Sequence, residues 1–165
     1  MVKKLNFWKT GLHWLWISIL IIIFDQISKE MALATLQLNQ PLPITPFFNL
    51  ALAFNKGSAF SFLSEASGWQ VWFFAAIAFV ISVVILFWLA KIPRTNVLNG
   101  IALSLILGGA IGNLLDRMIH GHVIDFIQLY YRQWAWPTFN LADSAICVGV
   151  ILLIVDALQL KSDKE

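Results

Sequence analysis

Asp25 and Lys29 stand four residues apart inside an otherwise apolar run, LHWLWISILIIIFDQISK. That spacing puts a carboxylate and an ammonium on one face of a helix. Asn113, Asp116 and Arg117 fall at i, i+3 and i+4 near the end of a second apolar run. Asn140 and Asp143 are three apart at the start of a third, and Asp125 lies between these runs in VIDF. Ionisable groups at membrane depth are expensive, so each is a functional candidate by default. Asp25 with Lys29, and Asp116 with Arg117, can be set aside as interhelical ion pairs. Asp125 and Asp143 are then left without a cation. Two spare carboxylates at one level are the raw material of an aspartyl dyad. Like charges at short range cannot both ionise, so the pair shares one proton. The charged member polarises a water and the neutral one donates to a scissile carbonyl. A proton or ion relay would use the same residue types, and spacing alone leaves both chemistries open.

Other chemistries have weaker support. His120 and His122 form H-x-H, but no third ligand stands at zinc spacing and there is no H-E-x-x-H. Ser28 is beside Lys29, where adjacent helical residues point to different faces, a poor Ser–Lys geometry. His13 reads as an interfacial residue. No phosphate-binding or dinucleotide fingerprint occurs, and no metal or organic cofactor is expected. The single cysteine, Cys147, excludes an internal disulfide. Set in an apolar run, it reads as a buried, inert thiol.

The elements that carry these residues must be membrane helices. Of 165 residues, 59% are hydrophobic and 12% charged, the latter about half the ~25% of a soluble domain. Mean hydropathy is +0.78. A soluble core of this length could not hide so much apolar surface. A formal net charge of +2 is too small for a phosphate-tracking patch, so nucleic acid is excluded as a partner. A bilayer core of ~30 Å takes about 20 helical residues, and four spans qualify, near 12–31, 71–90, 97–115 and 137–159, in a single domain. The first resembles a signal peptide at its basic start. However, Asp25, Lys29 and Glu30 stand before the Ala32-Leu33-Ala34 site, so it is expected to remain as a helix. Lys3, Lys4, Lys9, Lys91, Arg94, Lys161 and Lys164 lie on one side of the four spans. Lys29, Lys56, Arg117 and Arg132 lie on the other. The asymmetry places both termini in the cytoplasm and the polar residues toward the outer face. Asp156, at the inner end, reads as a solvated helix terminus.

Between the first two spans, Pro41, Pro43 and Pro46 exclude a helix. FFNLALAF and SAFSF around Asn55-Lys56-Gly57 predict a β-hairpin, and Trp69 and Trp72 an interfacial anchor. In the third span Gly100, Ser104, Gly108 and Gly112 recur every four residues, the pattern that lets helices approach closely in lipid.

FDQISK, FNKGSAFSFL, GGAIGNLLDR, VIDF and FNLADSAI, in this order and near this spacing, resemble the lipoprotein signal peptidases (signal peptidase II), from about Asp25 to Gly149. Where the family more often has Thr-Gly-Ala, this chain has Lys56-Gly57-Ser58, which adds a cation to a substrate-side loop. The resemblance implies an all-α membrane protein of four transmembrane helices with a small extracytoplasmic β-sheet and a short interfacial helix. It implies an aspartic endopeptidase of the bacterial inner membrane, acting without a cofactor and as a monomer. Its substrates would be prolipoproteins already carrying diacylglyceryl on cysteine, cleaved just before that residue. The catalytic pair carries over onto Asp125 and Asp143. Supporting polar residues carry over onto Asp25, Lys29, Asn55, Asn113, Asp116, Arg117 and Asn140, and glycine positions onto Gly57 and Gly112. The rivals are a proton-coupled carrier and a non-catalytic assembly factor.

Overall fold

Uninterrupted apolar sequence without internal proline gives four long helices in the computed structural model, which describes residues 7–57 and 68–162. They are α1 (Leu15–Thr35), α2 (Trp69–Lys91), α3 (Val97–His120) and α4 (Leu141–Ser162). Each is long and apolar enough to cross a bilayer, and the chain is a multi-pass membrane protein. Large side chains such as Phe24, Phe79, Phe87, Ile151 and Leu158 point outward, where lipid is the solvent. The helix stops follow from local chemistry. Lys91 ends α2 before Ile92-Pro93, because the residue preceding proline is driven out of the helical region. Gly121, at φ 71°, ends α3 in the left-handed conformation that favours glycine.

Helix α3 is central and packs against the other three. The small-residue stripe is the seam with α1. Trp14 lies over Gly100, Ser18 Oγ donates to the Ser104 carbonyl (2.7 Å), and Ser18 and Ile21 fill the place where a Cβ on Gly108 would be. Near the sheet end of the seam, a Cβ on Gly112 would lie 2.6 Å from Asp25 Oδ2. The stripe therefore does more than pack helices, since Gly112 makes the room for a buried carboxylate. Gly109 and Gly149 make the same close approach between α3 and α4.

Four antiparallel strands close one end of the bundle in the order β1 (Leu42–Thr45), β2 (Phe48–Asn55), β3 (Val123–Tyr131), β4 (Trp134–Ala135). The run before Asn55-Lys56-Gly57 is β2 as expected, but its two ladders go to β1 and to β3. The β1 ladder covers only Phe48 to Leu50 of β2, and the other arm of the expected hairpin, residues 58–62, lies outside the described residues. Ala53 faces Asp125 and Asn55 faces Val123 across the β2–β3 ladder. Ala32, Leu52, Ile124 and Phe126 form a small core that fixes the sheet onto the end of α1. Trp69 and Trp72 are exposed, as an anchor requires, but within the first turn of α2.

Helix bounds differ from the apolar windows at the sheet end. The third helix runs on to His120, and the fourth begins at Leu141 rather than near 137. Trp134-Ala135-Trp136 is apolar yet forms β4 and the start of the irregular stretch after it, and Pro137 and Asn140 delay the helix. At the opposite end Asp156 is not simply a solvated terminus. It is half-buried and its Oδ2 accepts a hydrogen bond from Asn99 Nδ2 (2.9 Å), joining α4 to the start of α3.

Candidate active site

Lys29 is the hub of the polar residues. It is 1% exposed, and its Nζ lies 2.7 Å from Asp25 Oδ2, 2.8 Å from Asp116 Oδ2 and 3.0 Å from Asn113 Oδ1. All three ammonium protons are therefore matched. Asp25 Oδ1 accepts the Ala142 backbone N–H in the first turn of α4 (2.9 Å), where the helix dipole favours a negative charge. Asp116 Oδ2 also accepts the Ile124 N–H (3.1 Å), fixing β3 against α3. One ammonium between two carboxylates thus locks α1, α3, α4 and β3 into one register.

This arrangement corrects the expected pairing of Asp116 with Arg117. Neighbours in a helix point about 100° apart; Asp116 faces Lys29, and Arg117 faces the other way. The Arg117 guanidinium donates to the Asn113 carbonyl (3.1 Å) and the Gly57 carbonyl (2.9 Å) and lies over the Phe74 ring. Gln26, which was not among the expected site residues, donates to Asp116 Oδ1 (2.9 Å). Its signal was available, as an amide next to Asp25 within an apolar helix.

Asp125 and Asp143 come from different elements and meet around Asn140. Asn140 caps α4: its Oδ1 accepts the Asp143 N–H (2.9 Å), and Asp143 Oδ2 accepts the Asn140 N–H (3.2 Å). This is a capping box with Asn and Asp in the two positions, so the sequence that starts the helix also orients Asp143. The remaining Asn140 amide donates to Asp125 Oδ1 (2.8 Å) and to Asn113 Oδ1 (3.1 Å). Asn113 in turn donates to Asp143 Oδ1 (2.7 Å), and Asn55 donates to Asp125 Oδ2 (3.2 Å). Asn55 Oδ1 accepts the Gly57 N–H (2.9 Å), which sets the turn that Arg117 holds. Among the described residues no Lys or Arg forms an ion pair with either carboxylate. Three asparagines hold the pair.

Asp125 is buried and Asp143 half-buried. Burial pushes the Asp125 carboxyl up to about 7, reinforced by the negative charge of Asp143 and opposed by the bonds from Asn55 and Asn140. Asp143 opens onto a cleft of about 670 Å³ between α2, α3 and α4. Asn55, Asn113 and Arg117 are among its polar lining; Ile77, Ile81 and Ile106 are among its apolar walls. Such a pair, one member protonated near neutral pH beside an apolar groove, can perform acid–base hydrolysis of an amide.

The other candidates separate from this site. His122 stacks on Phe54 (ring centroids 4.2 Å apart) and lies 6.0 Å from the His120 ring. Among the described residues no three His, Cys, Asp or Glu cluster as metal ligands would. Cys147 is exposed, not buried. It lies one turn beyond Asp143 on the cleft-lining face of α4, where an apolar neighbourhood in sequence means lipid rather than protein core.

Residues 17–159 match the family model described as signal peptidase (SPase) II. The chain is 53% identical over 150 residues to a lipoprotein signal peptidase of Alteromonas mediterranea, covering 91% of this chain and 82% of that one. It is 50% identical over 164 residues to one of Coxiella burnetii, covering 99% of each. A solved structure described as a bacterial membrane enzyme, determined by the in meso method at 2.3 Å resolution, superposes with a TM-score of 0.84 at 30% identity over 97% of both chains. With a family model spanning most of the chain and half of all positions identical to such relatives, this protein belongs to the signal peptidase II family of aspartic-type peptidases.

Proposed function

We propose that the protein removes signal peptides from bacterial prolipoproteins whose cysteine already carries a diacylglyceryl group, cutting just before that cysteine with Asp125 and Asp143 as the catalytic pair. The observation that carries this reading is the asparagine frame. Asn140 bonds Asp125 and caps the helix that carries Asp143, and Asn113 bonds Asp143. The frame orients both carboxylates without supplying a cation that would keep both ionised. The ionised carboxylate takes a proton from a water as its oxygen attacks the scissile carbonyl. The protonated carboxyl donates to the carbonyl oxygen, giving a neutral gem-diol. On collapse one gem-diol hydroxyl returns its proton to the ionised carboxylate, the protonated carboxyl gives its proton to the leaving nitrogen, and the C–N bond breaks. The substrate's signal helix enters the cleft from lipid, and its acyl chains stay in the bilayer, fixing the depth of the cysteine.

Asp25, Lys29 and Asp116 position α4 and β3. Asn55, Asn113, Arg117 and Asn140 orient the pair or line the cleft, Gly112 makes room for the Asp25 carboxylate, and Gly57 is the backbone held by Asn55 and Arg117. It acts as a monomer in this reading. Both termini lie in the cytoplasm and the sheet faces outward, in line with the Lys and Arg distribution. The test is purified protein with a lipidated prolipoprotein peptide and the same peptide without lipid. Cleavage before the lipidated cysteine alone is expected; equal cleavage of both peptides, or of neither, would refute the substrate assignment.

A further inference from the structure

The end of the bundle opposite the sheet carries a built feature that hydrolysis does not use. The chain preceding α1 is tied to the α2–α3 loop. Gly11 N–H donates to the Ile92 carbonyl (2.9 Å), Arg94 N–H to the Lys9 carbonyl (3.1 Å) and Trp14 Nε1 to the Arg94 carbonyl (3.3 Å). Thr10 and Pro93 form an antiparallel bridge between them. The approach is close, since a Cβ on Gly11 would stand 2.6 Å from Ile92 Cγ1 and 2.8 Å from the Leu89 carbonyl oxygen. Two segments far apart in sequence thus set Lys9, Lys91 and Arg94 on one collar, all three exposed. Among the described residues none of the three is in an ion pair. The described carboxylate of this end, Asp156, is hydrogen-bonded to Asn99.

We propose that this collar binds the phosphate diester headgroup of an anionic phospholipid in the adjacent leaflet. Backbone bonds, not side-chain partners, hold the cations in place, so their charged ends remain available to an anion. Phe7 and Trp8 on the same turn are exposed, and the rings of Trp8, His13 and Trp14 succeed one another at 5.8 and 5.6 Å. Such amphipathic rings belong at headgroup depth. Just inside the collar, Trp16, Phe87 and Trp88 present apolar surface outward, which suits acyl chains. A soluble anion would use the cations but not this surface. Each basic group near an anionic membrane surface contributes about a fivefold preference, so three together give a preference on the order of tens-fold after mutual screening.

The experiment titrates purified protein in detergent with dioleoyl phosphatidylglycerol, with dioleoyl phosphatidylcholine and with inorganic phosphate, counting bound lipid by native mass spectrometry and following the melting temperature. Phosphatidylglycerol should be retained at tens-fold lower concentration than phosphatidylcholine and should raise the melting temperature. Phosphate should do neither. Lys91→Gln with Arg94→Gln should cut the preference to about the fivefold that Lys9 alone gives, while cleavage of a lipidated peptide persists. Arg94→Glu, a second variant that leaves the collar the same net charge, should cut the preference to a similar extent without loss of helical circular dichroism. Equal retention of the two lipids by the wild type, a preference unchanged in both variants, or stabilisation by phosphate equal to that by phosphatidylglycerol would overturn the proposal.

Discussion

Replacing Asn55 with Ala tests whether the proton of the dyad resides on Asp125. The Asn55 amide donates to Asp125 Oδ2 at 3.2 Å and so favours the ionised carboxylate. A hydrogen bond to a charged group contributes about 1.5–3 kcal/mol. At 3.2 Å the lower figure applies, and at ~1.4 kcal/mol per unit the carboxyl should hold its proton about one pH unit higher without it. Asp125 titrates about 7 in the wild type. If it is the acid that protonates the scissile carbonyl, activity is present below that pH and is lost as pH rises through it. The falling limb of kcat/KM for a lipidated peptide should therefore sit near 7 in the wild type and near ~8 in Asn55→Ala. The control is Asn49→Ala, which removes a 3.0 Å bond to Gln128 on the same pair of strands but touches neither carboxylate. Its limb should coincide with that of the wild type. A limb in Asn55→Ala that stays in place, or moves to lower pH, would refute the assignment of the proton to Asp125.

Asp125→Asn and Asp143→Asn should each nearly abolish cleavage in well-folded protein, and the double variant should be little worse than either, as for residues that act as a unit; substantial turnover by folded Asp143→Asn would end the aspartyl mechanism. Lys29→Met leaves two buried carboxylates facing each other without their ammonium. It should cost about 3–5 kcal/mol, read as lost folded yield and a lower melting temperature in detergent. Gly112→Ala places a methyl group against Asp25 Oδ2, and overpacking of this kind costs about 1–3 kcal/mol. Both the melting temperature and the turnover of this variant should fall, because Asp25 holds the first turn of α4. In a background without Cys147, cysteines at Gly121 and Arg94 should be labelled from opposite sides of the membrane, Gly121 from outside; labelling of both from one side would contradict the proposed topology.

The parts of the site legible in the sequence are those that depend on helical spacing within one segment. Asp25 and Lys29 do pair, and Asn140 and Asp143 do share one turn, because i, i+4 and i, i+3 neighbours meet whatever else the chain does. Pairing between segments was not legible. Asp116 and Arg117 looked like a pair because they are adjacent, yet adjacency on a helix separates them, and only the packing of α1 against the glycine stripe brings Lys29 to Asp116. The partners of strands show the same limit. The run ending at Asn55 has strand character, but its β3 partner lies some 70 residues on, beyond two helices, and no local signal encodes so distant a partner. Cys147 was misplaced because hydropathy cannot distinguish a residue facing protein from one facing lipid.

The division of labour between the amides and the single buried ammonium accounts for the composition of the site. A cation against Asp125 or Asp143 would hold that carboxylate ionised and remove the proton that the proposed chemistry needs. A carboxylate left with no partner would be costly to bury. Asparagine meets both conditions, since its amide satisfies the carboxylate oxygens with donors yet carries no net charge, so the proton can stay. Asn55, Asn113 and Asn140 occupy these places. Lys29 is matched by Asp25 and Asp116 instead, in direct contact with neither dyad member, and reaches them through Asn113 and through the first turn of α4. Replacing Asn140 with Asp should therefore do more harm than replacing it with Ala. Ala loses the bond to Asp125 and the cap of α4, whereas Asp adds a third carboxylate beside Asp125 and Asp143 and turns a donor into an acceptor. With peptide substrate and matched folded protein, Asn140→Ala should retain more activity than Asn140→Asp at pH 7. The gap should narrow at pH 5, where the added carboxyl can take up a proton. A gap that widens at lower pH would show that Asn140 acts through packing rather than by holding the charge state of the pair.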